Sequence, residues 1–409
     1  MKTLIYQEIE GNSKSFFKLA GSLLLLLIFG LSAAYYMEHN GHIVTGMNNQ
    51  IVWGLPHVFA LFLIVSASGA LNIASIASVF GKTPYKPLAP LSALLAIALL
   101  IGGLMILVLD LGRPDRLIVA MTNFNFKSIF AWNIILYNGF ILIVAIYLWT
   151  MMERQYNHYT KSAGMVAFIW RLILTTGTGS IFGFLVAREA YDAAIMAPMF
   201  IVMSFSFGLA IYILVLYSCY HYTNRLISKD ILYRLRNLLG VFVGAVLLLV
   251  SIFHLTNLYA AEHSGVESFI LNGSFYAFLF WVMQVFLGSV VPLIFFYHPT
   301  FRQSIKHTLV GAGLVILGGL TQLYVIIIGG QAYPLELFPE YEVTSSFYDG
   351  EIASYWPSLP EMLLGFAGMA LAGLIVLFGI KLLKFLPMQL SNDILENHAA
   401  KPSESIEEK

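Results

Sequence analysis

Ten stretches of the chain stay apolar for some 20 residues or more, and no other feature constrains the fold as strongly. They cover 16–37, 51–80, 87–110, 127–151, 165–187, 195–220, 236–260, 273–297, 305–330 and 359–386. Each is long enough to cross a hydrocarbon core about 30 Å thick as a helix. The runs are continuously apolar rather than alternating, which excludes a transmembrane β-barrel. Only 11% of the 409 residues are charged, against 59% hydrophobic, and a soluble domain carries about 25% charge. The expected fold is an all-α integral membrane protein with about ten transmembrane helices, its first partner being the lipid bilayer. Acidic and basic residues number 22 each, so no net charge invites nucleic acid. The single cysteine, Cys219, excludes an internal disulfide and a self-contained zinc–thiolate or iron–sulfur centre. The first apolar run is too long, and lacks the small-residue site, for a cleaved signal.

Lysine and arginine set an expected orientation. With the N-terminus inside, seventeen of the 22 fall in inner connections. Arg113, Arg116, Lys127 and Arg188 fall outside, and Arg171 lies in a span. Both termini are therefore expected in the cytoplasm, with a polar cytoplasmic tail over 390–409. The outer connection 331–358 carries Glu336, Glu340, Glu342, Asp349 and Glu351 among many aromatics, without Lys or Arg. It reads as an interfacial belt or as a docking surface.

A weak internal repeat relates Ser66-Ala67-Ser68-Gly69-Ala70-Leu71 to Ser204-Phe205-Ser206-Phe207-Gly208-Leu209, four spans later and in the same direction. It suggests two related four-helix bundles, spans 2–5 and 6–9, with spans 1 and 10 peripheral.

Ionisable groups inside lipid are costly and mark functional candidates. His57, Asp110 and His254 fall at a similar outer depth; Arg171, Gln284 and Gln322 lie deeper. A histidine beside a carboxylate suits a hydroquinone, because imidazole accepts a phenolic proton while the carboxylate orients it or takes the proton onward. The alternative is that each is a helix-end residue facing headgroups. After span 3, Gly112 and Pro114 enforce a tight exit that is expected to hold Arg113 near Asp110. Phe124, Phe126, Phe130, Trp132, Asn133 and Tyr137 then form an aromatic wall suited to a quinone ring, or a plain interfacial belt. Along span 2, Ser66, Ala70, Ala74 and Ser78 recur at packing intervals. His57, Leu61, Ser68, Asn72 and Ser75 share another face, which reads as local bonding or as a wet proton route.

Trp53-Gly54-Leu55-Pro56, Ser66 to Ala70 and Asp110-Leu111-Gly112-Arg113-Pro114 resemble the NrfD/PsrC family, the membrane subunits of polysulfide-reductase-type complexes. Pro56 to Phe59, Ser68 to Asn72 and Asn125 to Asn133 are most similar to its DsrP branch, from a sulfur-metabolism complex. The resemblance implies a haem-free subunit that binds menaquinone or another quinone as substrate near His57, Asp110 and Tyr137. It also implies electron exchange with an outer iron–sulfur subunit, and the loop of Arg113 and Arg116 would lie at that contact. The site expected is His57 and Asp110 as the proton-handling groups, with Arg113, Trp132, Asn133, Tyr137 and His254 around the ligand. Two other readings compete. A secondary transporter would share the repeats and buried polar groups, but no span is visibly broken. A haem b subunit would use His57 and His254 as axial ligands.

Overall fold

A continuously apolar run in lipid leaves its backbone no partner but itself, and helices result. The computed structural model describes residues 5–272, 275–335 and 350–390. Most of the acidic outer connection, with Glu336, Glu340, Glu342 and Asp349, and the tail beyond Leu390 lie outside the described residues. Ten helices among the described residues are long and apolar enough to span: Lys14–Asn40, Leu55–Ser78, Thr83–Leu109, Ile129–Met152, Arg154–Gly183, Met196–Tyr222, Lys229–Tyr259, Phe275–Tyr297, Ile305–Ala332 and Leu359–Leu382. Serine side chains cap several of them. Ser13 accepts from Phe16 N at 3.1 Å, and Ser358 and Glu361 cap span 10 reciprocally.

Spans 2–5 pack around one another, and spans 6–9 do the same. The bundles meet chiefly through span 2 against span 6. The two glycines of the repeat make that joint. A Cβ on Gly69 would collide with Ser204 O, and one on Gly208 would collide with Gly69 itself. Small residues let helix backbones touch where lipid supplies no hydrophobic drive between them.

Span 10 departs from the expected periphery. It packs on spans 3 and 2 as well as on span 1, with Gly368 against Gly102. Span 1 is the outlying helix, with 11% of its apolar window buried.

Three helices are irregular. Span 2 breaks at Leu71, between helices Leu55–Ala70 and Asn72–Ser78. Ser92 of span 3 bridges the gap, donating to Ala70 O at 2.6 Å and accepting from Ala74 N at 3.2 Å. The expectation of unbroken spans is thus corrected. The break falls on Leu71 itself, and a serine on another helix satisfies backbone groups on both sides of it. Spans 8 and 9 include π-helical turns at Leu279–Val290 and Val325–Gly329.

For orientation, the end bearing His57 is the His57 face and the other the Arg225 face. On the Arg225 face a strap crosses the molecule. Leu386–Pro387 pairs with Tyr6–Gln7, and Gln389–Leu390 pairs with Leu226–Ile227. Arg225 fastens it, donating to Gln7 O at 3.1 Å, Glu8 O at 2.8 Å and Leu386 O at 3.3 Å.

Candidate functional site

Each bundle carries a histidine–carboxylate pair toward the His57 face. In the first bundle, His57 sits in the first turn of span 2, and Asp110 caps the end of span 3. Packing of span 2 on span 3 brings His57 Nδ1 within 2.9 Å of Asp110 Oδ2. The His57 side chain is 22% exposed and that of Asp110 only 1%. The contact is close but poorly aligned, and the Asp110 oxygens make no aligned hydrogen bond among the described residues. Asp110 therefore keeps acceptor capacity for an incoming hydroxyl. With Nδ1 turned toward Asp110, Nε2 is the His57 nitrogen left to meet a ligand.

Aromatic rings surround the imidazole. Trp53 stacks on His57 with centroids 6.3 Å apart and also contacts Phe130, Phe182 and Tyr191. Gln331 fixes the Trp53 backbone, accepting from Val52 N and Trp53 N and donating to Trp53 O, each at 3.0 Å. Arg188 ties the same linker down, donating to Gln50 O at 2.8 Å and Gln331 O at 3.1 Å. Burial pushes the Tyr191 phenol well above its ordinary range, so it stays a neutral donor, to Ile327 O at 2.7 Å.

Gly112, with φ +68°, turns the chain after Asp110 in a conformation suited to glycine. His42 fills the space where a side chain would stand. The turn aims Arg113 outward: it is exposed and makes no ion pair with Asp110, which corrects the expected contact. Trp132 is 45% exposed, and its indole donates to Phe126 O at 2.9 Å. Asn133 and Tyr137 are buried and bond across to span 5. Asn133 Nδ2 donates to Gly177 O at 3.2 Å, and the Tyr137 hydroxyl meets Thr178 Oγ1 at 3.4 Å. Of the expected wall, Phe130 reaches the Trp53–His57 stack.

Deeper in this bundle a hydrogen-bonded network surrounds Arg171, which is 3% exposed. Its Nη1 donates to Ser68 O at 3.0 Å and to Asn72 Oδ1 at 2.5 Å. Thr175 donates to Ser68 Oγ at 2.7 Å. The guanidinium lies 5.0 and 5.1 Å from the ring centres of Phe168 and Phe205. Among the described residues no carboxylate pairs with it.

The second pair joins His254 of span 7 to Glu267 in the following connection, Nδ1 to Oε2 at 2.7 Å. Asn257 Nδ2 donates to the other oxygen at 2.9 Å, so both oxygens of Glu267 are engaged. Phe253 and Phe280 meet the His254 ring edge-on. These neighbours are distinct from those of His57. Sequence reading missed Glu267 because a lone acid between two spans looks like a solvated loop residue. The glutamine-rich packing of the 45–55 linker, also missed, left no local pattern. No cluster of three or more His, Cys, Asp or Glu side chains fit to hold a metal exists among the described residues.

Two bundles of membrane-spanning helices, with a histidine–carboxylate pair in each toward one face, define a polytopic helical membrane protein. The chain belongs to the family described as Polysulphide reductase, NrfD, whose profile matches residues 43–334. It is 29% identical to the Hdr-like menaquinol oxidoreductase integral membrane subunit of Archaeoglobus fulgidus over 399 residues, covering 96% of this chain and 99% of the relative. It is 26% identical to a putative dimethyl sulfoxide reductase membrane subunit of Halobacterium salinarum, over 90% of this chain and 91% of that one. The menaquinone reductase integral membrane subunit of Nitratidesulfovibrio vulgaris is 21% identical over 88% of this chain and 90% of its own.

Proposed function

We propose that this chain is the quinone-exchanging membrane subunit of a multi-subunit respiratory oxidoreductase, working on menaquinol at His57 and Asp110. The observation that carries the reading is the 2.9 Å approach of His57 to a buried Asp110 with spare acceptor oxygens, beside stacked aromatic rings. Two relatives with menaquinol or menaquinone in their names support the choice of substrate.

Oxidation of a quinol releases two protons and two electrons. His57 Nε2 accepts one phenolic proton, and Asp110 stabilises the imidazolium through Nδ1. The free capacity of Asp110 serves the second proton, which leaves toward the His57 face. Trp53 and Phe130 hold the ring, and the electrons pass to an iron–sulfur centre of a partner subunit. The same residues serve the reverse direction. The lysine and arginine bias supports a reading in which the His57 face is extracytoplasmic and both termini are inside; the exposed loop of Arg113 and Arg116 would then be offered to that partner. A complex of sulfur metabolism is supported by the family's description as polysulphide reductase; the partner subunits select the terminal substrate.

The test is titration of the purified protein with a quinol-analogue inhibitor such as a hydroxyquinoline N-oxide, read by fluorescence quenching, beside Asp110→Asn. Saturable micromolar binding that weakens about tenfold in the variant is expected. Absence of saturable binding to folded protein sinks the reading and favours a transporter or structural anchor. The break in span 2 is the one observation that favours the transporter reading. A Soret band in purified protein favours the haem reading with His57 and His254.

A further inference from the structure

Span 10 lies beyond residues 43–334, the stretch matched by the family profile. It nevertheless carries the most deeply buried carboxylate among the described residues, Glu361, at 0% exposure. No Lys, Arg or His among the described residues forms an ion pair with it. Its oxygens act as acceptors only. Oε2 accepts from Ser358 N at 2.7 Å and from Gly46 N at 2.8 Å. Oε1 accepts from the Tyr355 hydroxyl at 2.7 Å. The bond from Ser358 belongs to the cap of span 10 itself. The other two bonds reach toward the linker before span 2.

Span 2 begins without a cap of its own. Gly54 stands at its N-cap, and no side chain bonds there locally. Pro56 has no N–H to satisfy, and His57 N bonds back to Gly54 O at 3.1 Å. That leaves Leu55 N, the first amide of the helix, in need of an acceptor. The Tyr355 hydroxyl supplies it, accepting from Leu55 N at 2.7 Å while donating to Glu361. Burial first, and then the Glu361 charge, push the Tyr355 phenol well above its ordinary range, so this donor keeps its proton. Two glycines make the room. A Cβ on Gly54 would collide with Glu361 Oε1 and the Tyr355 hydroxyl, and one on Gly46 would collide with Trp356 O. A carboxylate at a helix start also suits the positive end of the helix dipole.

We propose that Tyr355 and Glu361 cap span 2 from outside it and are the positioning residues of His57. The inference rests on the reading of His57 as the group that meets quinol. Leu55, Pro56 and His57 share one helical turn, so a hold on the first amide is a hold on the base of the imidazole. Asp110 meets Nδ1 off-line, and a poorly aligned contact fixes a ring weakly. A main-chain hold needs no such alignment, and it leaves the Asp110 oxygens for the ligand. The tasks are thus divided among three helices. Gln331 of span 9 holds Trp53, Glu361 of span 10 holds the start of span 2 through Tyr355, and span 3 supplies the acceptor. A helix beyond the family profile completes a site built within it.

The test uses the full chain, purified for hydrogen exchange and assembled in its complex for turnover. Tyr355→Phe removes the hydroxyl and keeps the ring. In that variant amide exchange over 53–58 should quicken about tenfold, with exchange at the start of span 7 unchanged. Quinol oxidation should fall about tenfold in kcat, with KM within about twofold of wild type. In a His57→Ala background Tyr355→Phe should cost nothing further, because the residue acts through His57. Glu361→Gln should quicken the same amides; Tyr355→Phe alone decides if that variant does not fold. Unchanged exchange over 53–58 overturns the inference, and so do losses from Tyr355→Phe and His57→Ala that add. A His57→Ala complex as fast as the wild type sinks the quinol reading itself, and the exchange arm still decides the cap.

Discussion

The two histidine–carboxylate pairs look alike at first and differ where it matters. Both acids are buried, both meet Nδ1 within 2.9 Å, and both lie toward the same face of related bundles. Glu267 has a partner for each oxygen, whereas Asp110 has one off-line contact. A saturated carboxylate holds its histidine in place, while an unsaturated one can still receive a ligand. The interiors differ in the opposite sense. The first bundle buries Arg171 in a hydrogen-bonded network; the second has the uncharged amides Gln284 and Gln322 at the corresponding place, beside π-helical turns. A shared helix arrangement therefore hosts two distributions of polar groups, and function follows the polar groups rather than the arrangement.

The joint between the bundles is where the comparison breaks most completely. Gly69→Val should abolish recovery of monodisperse protein, because its Cβ has no room against Ser204 O. Gly244→Ala, at a position with nothing within 4 Å, should leave the elution profile unchanged. Next comes chemistry: His57→Ala should lower quinol oxidation by the assembled complex about 100-fold or more, with His254→Ala within about twofold of wild type. Equal losses in the two variants would mean that the second pair also handles substrate. Stability should reverse the order. Glu267→Leu strands His254 and Asn257 and should cost about 2–4 kcal/mol in detergent-resistant folding. Asp110→Asn should cost less than about 1 kcal/mol, having no aligned bond to lose. Thermal melts of the two would decide it.

The smallest effect concerns the strap. Burial pushes the Tyr6 phenol up to about 12, above its ordinary value near 10. A raised folded-state value means its contribution is intact below about pH 10 and is lost as pH climbs toward about 12. Strap protection by hydrogen exchange should fall over that window, and fall less steeply in Tyr6→Phe, where Tyr220, which donates to Pro387 O, is the phenol that still holds the strap.

The ten spans were legible because lipid demands long apolar runs; Gly69 and Gly208 were legible only as marks of a repeat, and that they meet depends on how the bundles pack. The proximity of His57 and Asp110 was legible because two polar groups at one depth on adjacent helices have few other places to go. The rest depended on distant partners. The break at Leu71 is stabilised by Ser92, and the packing of Trp53 by Gln331. The burial of Glu267 is set by His254 and Asn257. The outward course of Arg113 follows from a turn whose direction the Gly and Pro permit but do not specify. Span 10 read as peripheral because its apolar surface looks the same whether it meets lipid or span 3.

The strap on the Arg225 face has a consequence for biosynthesis. Residues 386–390 close seams with residues near both 6 and 226, so nearly the whole chain is translated before its earliest segment finds its neighbour. Until residues 386–390 arrive, the backbone edges of Tyr6–Gln7 and Leu226–Ile227 lack these partners. The strap is therefore among the last seams the growing chain can close, in whatever order the helices pack.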